Sequence, residues 1–188
     1  MPLLTKGNLK QISIAKNLTD SDGFLKHAAL KFSESREYDI FLSHSYLDKD
    51  EIVSIISIIE DLGFSVYIDW IEDKQLDRSE VTQETADILR KRMNQCKSLL
   101  FATSQNSPDS KWMPWELGYF DGLKGKVAIL PIVDEANQNE YAGQEYLGLY
   151  YYVTFDVNIT SGQMDLWINK NSNVYTIFKR WIDGEELS

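Results

Sequence analysis

Hydrophobic and polar positions alternate along the chain in a way that predicts short strands separated by helices. Short apolar runs bounded by polar turns predict strands at residues 38–43, 64–68, 97–103, 126–133 and 149–155. Between them, apolar residues recur at helical spacing, as in the series Ile52, Ile55, Ile56, Ile59 and Leu62. Strands alternating with helices are typical of a parallel sheet that helices cover on both faces. We therefore predict an α/β fold with five parallel strands.

Both ends of the chain carry helical patterns. Apolar residues at 24, 25, 28, 29 and 32 follow a possible helix cap at 20–22, and residues 33–37 are polar. We predict an N-terminal helical extension with its linker at residues 1–36 and the main domain at 37–188. The extension is either a helix packed on that domain or a self-association element. A last amphipathic helix is predicted from Val174, Ile177, Phe178, Trp181 and Ile182.

Composition narrows the class of protein. The 188 residues carry a net charge of −10, which argues against a nucleic-acid partner and against docking on an anionic membrane. Cys96 is the one cysteine, so no intrachain disulfide is possible, and it precedes an apolar run that predicts a buried, inert thiol. We find no secretory signal and no apolar run near the roughly 18 residues of a membrane span. A cytoplasmic domain is the expectation.

The residues that follow the strands are candidates for a ligand site, because ligands of open parallel sheets bind outside the carboxyl ends of the strands. Those candidates are Ser43, His44 and Ser45 after the first strand, Asp69 at the end of the second, and Ser104 and Gln105 after the third. Structural roles stay open for each: a helix cap for the serines, with Asp48 as the competing cap, a bonded loop residue for His44, and a turn for Asp69. With one histidine here and no further cysteine, we do not expect a metal site.

The stretch from Lys111 to Gly118 holds the most informative carboxylate. Pro114 marks a helix start, because proline is tolerated in a first turn. Glu116 then lies in that first turn, where the helix dipole favours an ionised acid, with Trp112 and Trp115 beside it. A solvated acid and two core tryptophans are the structural alternative. An anion beside aromatic surface otherwise predicts a site that stabilises positive charge on a flat ligand.

Familiar nucleotide and hydrolase motifs are missing from the sequence. We find no G-x-G-x-x-G, no G-x-x-x-x-G-K-[ST] and no G-x-S-x-G pattern. A phosphoreceiver domain would have paired acids after the first strand, where this chain has Ser-His-Ser.

Several segments in order resemble a known family. Residues 38–45, Tyr-Asp-Ile-Phe-Leu-Ser-His-Ser, resemble the opening strand and loop of TIR (Toll/interleukin-1 receptor-like) domains, and residues 63–69 and 98–104 continue the pattern. Residues 112–117 resemble the W-x-x-x-E-L signature of the bacterial branch. The resemblance covers about residues 37–155.

The resemblance implies a flavodoxin-like sheet and cleavage of NAD+ at the nicotinamide–ribose bond. NAD+ would be the substrate, with no separate cofactor. By the family's pattern Glu116 is the catalytic residue, while Ser43, His44, Ser45 and Asp69 line the pocket. Trp112 and Trp115 are candidates for stacking on the substrate. The loop at 69–80 corresponds to one that family members use for self-assembly, although Asp77-Arg78-Ser79 replaces its usual glycine.

This acidic domain with short extensions also resembles the signalling component of bacterial anti-phage systems such as Thoeris. There a linear or cyclic ADP-ribose product activates a separate effector protein. Two other functions stay open at the level of sequence: a non-catalytic TIR adaptor, and an enzyme similar to nucleoside deoxyribosyltransferases, which also use a glutamate.

Overall fold

The computed structural model of the protein describes residues 2–18, 20–24, 35–68, 82–134, 141 and 145–188. In chain order the strands are β1 (Leu4–Thr5), β2 (Tyr38–Ser43), β3 (Val66–Tyr67), β4 (Cys96–Thr103), β5 (Val127–Val133), β6 (Tyr151–Asn158), β7 (Gln163–Asn171) and β8 (Val174–Ile177). The helices are α1 (Lys6–Ala15), α2 (Lys49–Asp61), α3 (Gln83–Asn94), α4 (Met113–Lys124) and α5 (Phe178–Ile182). Short 3-10 turns cover Tyr46–Asp48, Ser107–Asp109 and Glu145–Leu149.

The strand order is that of a flavodoxin-like fold. Strands β2 to β6 are parallel and lie in the order β3-β2-β4-β5-β6. The chain therefore first moves to one side of β2 and then returns to its other side, where β4 begins the rest of the sheet. The predicted α/β class with a parallel sheet covered by helices is confirmed.

The sheet is larger than the five strands predicted. Within the described residues it has eight strands, because β7 and β8 extend it antiparallel from β6 and β1 pairs with β5. The last helix was predicted from Val174, but the residues from Val174 to Ile177 pair with β7 as a strand, and helix α5 begins at Phe178. Branched and aromatic side chains in this segment favour a strand, and the available edge of β7 supplies its partner.

Two apolar layers enclose the sheet. Helices α1, α2 and α5 cover one face, with Leu9, Ile55 and Phe178 in the buried cluster. Helices α3 and α4 cover the other face, where Met93 and Phe120 are buried against the sheet. Strands β2, β4 and β5 are buried along most of their length, as expected for parallel strands that helices cover on both faces.

The described part of the N-terminal extension packs on the main domain. Leu9 of α1 is fully buried against α2, and its carbonyl oxygen accepts a hydrogen bond from Ser54 Oγ at 3.0 Å. Asp20 accepts from the amide of Gly23 at 2.9 Å, which starts a helical turn at the predicted cap. Phe24 packs against the core, whereas the other apolar positions of the predicted helix (25, 28, 29 and 32) lie outside the described residues. The domain boundary at residue 36 stays a prediction.

The lone thiol is buried, as expected from its sequence context. Cys96 is 1% exposed, and its Sγ donates to the carbonyl oxygen of Arg92 at 3.3 Å.

None of the helices in the described ranges has the length and apolar character needed to cross a bilayer.

Asp39 holds the short edge strand β3 onto the sheet. Its Oδ2 accepts from the amide and the hydroxyl of Ser65, both at 2.9 Å, and its Oδ1 accepts from Lys97 Nζ at 2.8 Å. Partial burial alone would raise the pKa of the Asp39 carboxyl, but the bonds from Lys97 and Ser65 outweigh it and hold the pKa below its usual value. A depressed pKa stabilises the fold above the unfolded-state pKa of about 4, and this stabilisation is lost as pH falls through the folded-state value.

We therefore predict that Asp39→Asn lowers the free energy of unfolding by about 1 kcal/mol at pH 7, because it weakens these hydrogen bonds. The difference from wild type should shrink toward pH 3, because protonation of the carboxyl then begins to favour the unfolded wild type. Urea unfolding at both pH values measures it, with the exposed Glu60→Gln on α2 as the control. A loss of equal size at pH 3 and pH 7 would contradict the role given to the charge.

Candidate active site

The carboxyl ends of β2 and β4 lie at the edge of the sheet where the sequence predicts a ligand site, and we call this edge the crevice. These strands are neighbours, with Ser43 opposite Phe101 in the parallel register. Between them the chain changes direction across the sheet, which is where ligands of open α/β sheets bind. Two segments therefore meet here: the residues after Ser43 and the loop that runs from Ser104 into α4.

Helix α4 carries Glu116 into this crevice. Trp112 is at the N-cap position and Pro114 is in the first turn, as the proline pattern predicts. The amide of Glu116 donates to the carbonyl oxygen of Trp112 at 2.9 Å, so Glu116 belongs to the first hydrogen-bonded turn. At the other end Gly125 adopts φ 62°, the left-handed conformation that commonly ends a helix.

A hydrogen bond joins Ser43 to Glu116. The Ser43 hydroxyl donates to Glu116 Oε2 at 2.6 Å, and both residues are buried, with Glu116 at 0% exposed. Burying an ionised carboxylate is costly unless donors and favourable dipoles compensate it. The Ser43 hydroxyl and the N-terminal end of α4 both favour the charged form. The sequence proposed both residues for one site, and the structure brings them into contact.

His44 and Ser45 lie beside this pair but bond to their own segment. His44 is buried, and its Nδ1 lies 2.8 Å from the carbonyl oxygen of Leu42. Because a carbonyl oxygen only accepts, Nδ1 carries the proton. Ser45 Oγ accepts from the amide of Leu47 at 3.3 Å and so caps the 3-10 turn that precedes α2. Their roles in substrate binding stay predictions.

The two tryptophans pack largely on the protein. Trp112 is 5% exposed and lies edge-to-face with Trp115, with ring centroids 5.5 Å apart. Trp115 stacks on Tyr119 at 5.6 Å, and the Arg90 guanidinium carbon lies 5.4 Å from the Trp115 centroid. Stacking of either tryptophan on a substrate ring stays a prediction. Asp69, the remaining predicted pocket residue, lies outside the described residues.

Asp48 belongs to the same edge of the sheet. It occupies the N-cap position of α2, as considered from the sequence, but its side chain makes no cap bond there. Its carboxylate instead accepts from Ser104 Oγ at 2.5 Å and from Asn106 Nδ2 at 2.6 Å. The available signal was its position five residues after Ser43, at the same strand end as Ser104.

Tyr141 is a second residue that the sequence reasoning missed. It lies in the connection between β5 and β6, and its ring packs against the cluster under α3 and α4. Burial raises the pKa of its phenol, and a hydrogen bond with Thr103 at the end of β4 partly offsets this. The phenol is therefore neutral at physiological pH and able to donate a hydrogen bond near the crevice.

Comparison with known proteins finds two curated bacterial relatives. The chain is 55% identical over 158 residues to a protein of Bacillus cereus (strain MSX-D12) named "Probable 3' cyclic ADP-D-ribose synthase ThsB'", a match that covers 84% of this chain and 82% of the relative. It is 38% identical over 100 residues to a protein of Cytobacillus dafuensis named "Putative cyclic ADP-D-ribose synthase TIR2", over 53% of this chain and 26% of the relative. No family model matches the chain.

The charge state of Glu116 can be tested through Ser43. Hydrogen bonds to a charged partner contribute about 1.5–3 kcal/mol and neutral ones about 0.5–1.5 kcal/mol. We predict that Ser43→Ala costs more unfolding free energy at pH 7 than Ser98→Ala, whose hydroxyl is also buried but donates to the neutral carbonyl of Asp39 at 2.8 Å. Urea unfolding measures both losses.

The same comparison in the Glu116→Gln background supplies the control. Once the carboxylate is replaced by an amide, the cost of Ser43→Ala should fall to that of Ser98→Ala. Equal costs for the two serines already in the wild-type background would show a protonated Glu116 and contradict the ionised state.

Proposed function

We propose that this chain, which belongs to the TIR-domain family of cyclic ADP-D-ribose synthases, cleaves the nicotinamide–ribose bond of NAD+ and releases a cyclic ADP-ribose. The relative from Bacillus cereus, whose name specifies a 3' cyclic product, supports this activity. The observation that carries the proposal is the buried contact of Ser43 with Glu116 at the crevice between β2 and β4.

The chemistry of NAD+ suits a single carboxylate. Nicotinamide departs as a neutral molecule and takes the bonding electron pair onto its ring nitrogen, so it requires no proton. The two carboxylates of glycosidases are therefore unnecessary. Positive charge develops on the ribose as the bond breaks, and a preorganised anion in a buried site stabilises it strongly. Glu116 has this role in the proposal, and Ser43 keeps its carboxylate oriented.

The second half of the reaction forms the product. An oxygen or nitrogen nucleophile within the same ADP-ribosyl group bonds to the anomeric carbon that nicotinamide has left, and where a hydroxyl attacks, its proton passes to solvent. This closes a ring, whereas attack by water would give linear ADP-ribose. The names of both relatives favour the cyclic product.

The resemblance to Thoeris signalling proteins supports a place in anti-phage defence. In this proposal the cyclic nucleotide is the signal, and a separate effector protein responds to it. Self-association through the loop at 69–80, which lies outside the described residues, belongs to the same proposal.

The decisive experiment is incubation of the purified, concentrated protein with NAD+, with and without lysate of phage-infected cells. We predict nicotinamide and a cyclic ADP-ribose in chromatography, and a loss of at least about 100-fold in Glu116→Gln, because a stabiliser of transition-state charge is removed. Mass and retention time against cyclic and linear standards identify the product.

Glu84→Gln is the matched control, since Glu84 also lies in the first turn of a helix, α3, but is exposed. It should turn over NAD+ at the wild-type rate. Nicotinamide release that survives Glu116→Gln, or no release by the wild type in either arm, would contradict the proposal. Turnover of deoxynucleosides in place of NAD+ would favour the deoxyribosyltransferase alternative.

A further inference from the structure

Asp48 is a buried acid in an exposed stretch of chain. It is 1% exposed, although Tyr46 and Leu47 just before it are 61% and 64% exposed. An aspartate directly before a helix usually caps it, but here the cap bond at α2 is not made. The buried carboxylate must therefore be compensated by partners elsewhere in the fold.

Those partners are on the loop that follows β4. Ser104 Oγ donates to Asp48 Oδ2 at 2.5 Å, and Asn106 Nδ2 donates to Asp48 Oδ1 at 2.6 Å. The same Ser104 oxygen accepts from the amide of Asn106 at 2.9 Å. Ser107 Oγ then donates to the Ser104 carbonyl oxygen at 2.7 Å. Short bonds to a buried charge are the stronger kind, so this loop is ordered around Asp48.

Two connections therefore join the same pair of chain segments. Ser43 ends β2, and Asp48 lies five residues later at the start of α2. Glu116 and the Ser104 loop belong to the segment after β4. The Ser104 loop leads directly into α4, where Ser110 Oγ accepts from the amide of Met113 at 3.3 Å. Asp48 thus holds the Ser104 loop against the start of α2. This loop leads into α4, the helix that carries Glu116.

We infer that Asp48 is a positioning residue for the reaction, because it locks together the two walls of the crevice that holds Glu116. The inference rests on the proposed NAD+ cleavage. Asp48 does not act on the substrate in this account; it acts through the placement of the Ser104 loop and of α4. A displacement of about 1 Å in a catalytic group costs on the order of 100-fold in rate.

The first test is the steady-state kinetics of Asp48→Ala. We expect kcat for nicotinamide release to fall about 10- to 100-fold while KM for NAD+ changes less than about threefold, because the misplaced carboxylate matters most in the transition state. Glu60→Gln, an exposed acid at the other end of α2, is the control and should match wild type. A kcat equal to wild type in Asp48→Ala would overturn the inference.

The second test exchanges the two partners. Asn106→Asp places two carboxylates against each other and should lower kcat, and adding Asp48→Asn should restore it to within about threefold of wild type. In that double variant the amide of residue 48 donates to residue 106, and its oxygen still accepts from Ser104. Because the exchange re-forms bonds that also stabilise the fold, thermal unfolding is followed in parallel, and kcat is compared at a temperature where all variants are folded. No recovery of kcat in the folded double variant would overturn the inference, and this pair decides the question if Asp48→Ala does not fold.

Different outcomes contradict the positioning role of Asp48 and the proposed NAD+ cleavage. If wild type and Glu60→Gln release nicotinamide but the Asp48 and Asn106 variants do so equally well, the positioning role is wrong and NAD+ cleavage stands. If the wild type releases none in any arm, the proposed function is wrong and the positioning role falls with it.

Discussion

The fold has to keep a carboxylate with no exposed surface at the edge of its sheet. Glu116 meets this constraint through two features that the architecture provides together: the N-terminal turn of α4 and the hydroxyl of Ser43. The contact between Ser43 and Glu116 depends on β2 and β4 being neighbours. Ser43 is the last residue of β2, and Glu116 lies in the first turn of the helix that follows β4. The strand order therefore determines whether the buried acid is tolerated at all.

Local patterns along the chain were sufficient to place each half of this contact. Pro114 marked the helix start, and the apolar run before Ser43 marked the strand end; both are confirmed. The contact itself was not predictable from periodicity, since the two residues lie 73 positions apart. Hydrophobic spacing indicates which segments are strands, but not which strands pair. The strand-end rule and the family resemblance supplied the missing proximity.

Where the sequence reasoning was wrong, a distant partner had overridden a local preference. Val174 and Ile177 have the spacing of a helix, but the open edge of β7 pairs with them as a strand. Asp48 stands where an aspartate would cap a helix, but Ser104 and Asn106 take its carboxylate instead. In both places the deciding groups are in segments whose position is known only once the sheet has formed.

The packing of the aromatic residues bears on the proposed role of Glu116. The ring of Trp115 stacks on Tyr119 and makes a cation–π contact with the guanidinium of Arg90. Arg90 thus already makes the contact with this ring that a flat cationic ligand would otherwise make. Trp112 is covered by the core on the same side of the sheet. In the proposed reaction this leaves the carboxylate of Glu116 to stabilise the developing cation, while the packing of both tryptophans supports the helix that carries it. A reaction stabilised in this way depends more on the exact placement of one charge than on an aromatic surface, and the proposed positioning role of Asp48 follows from that dependence.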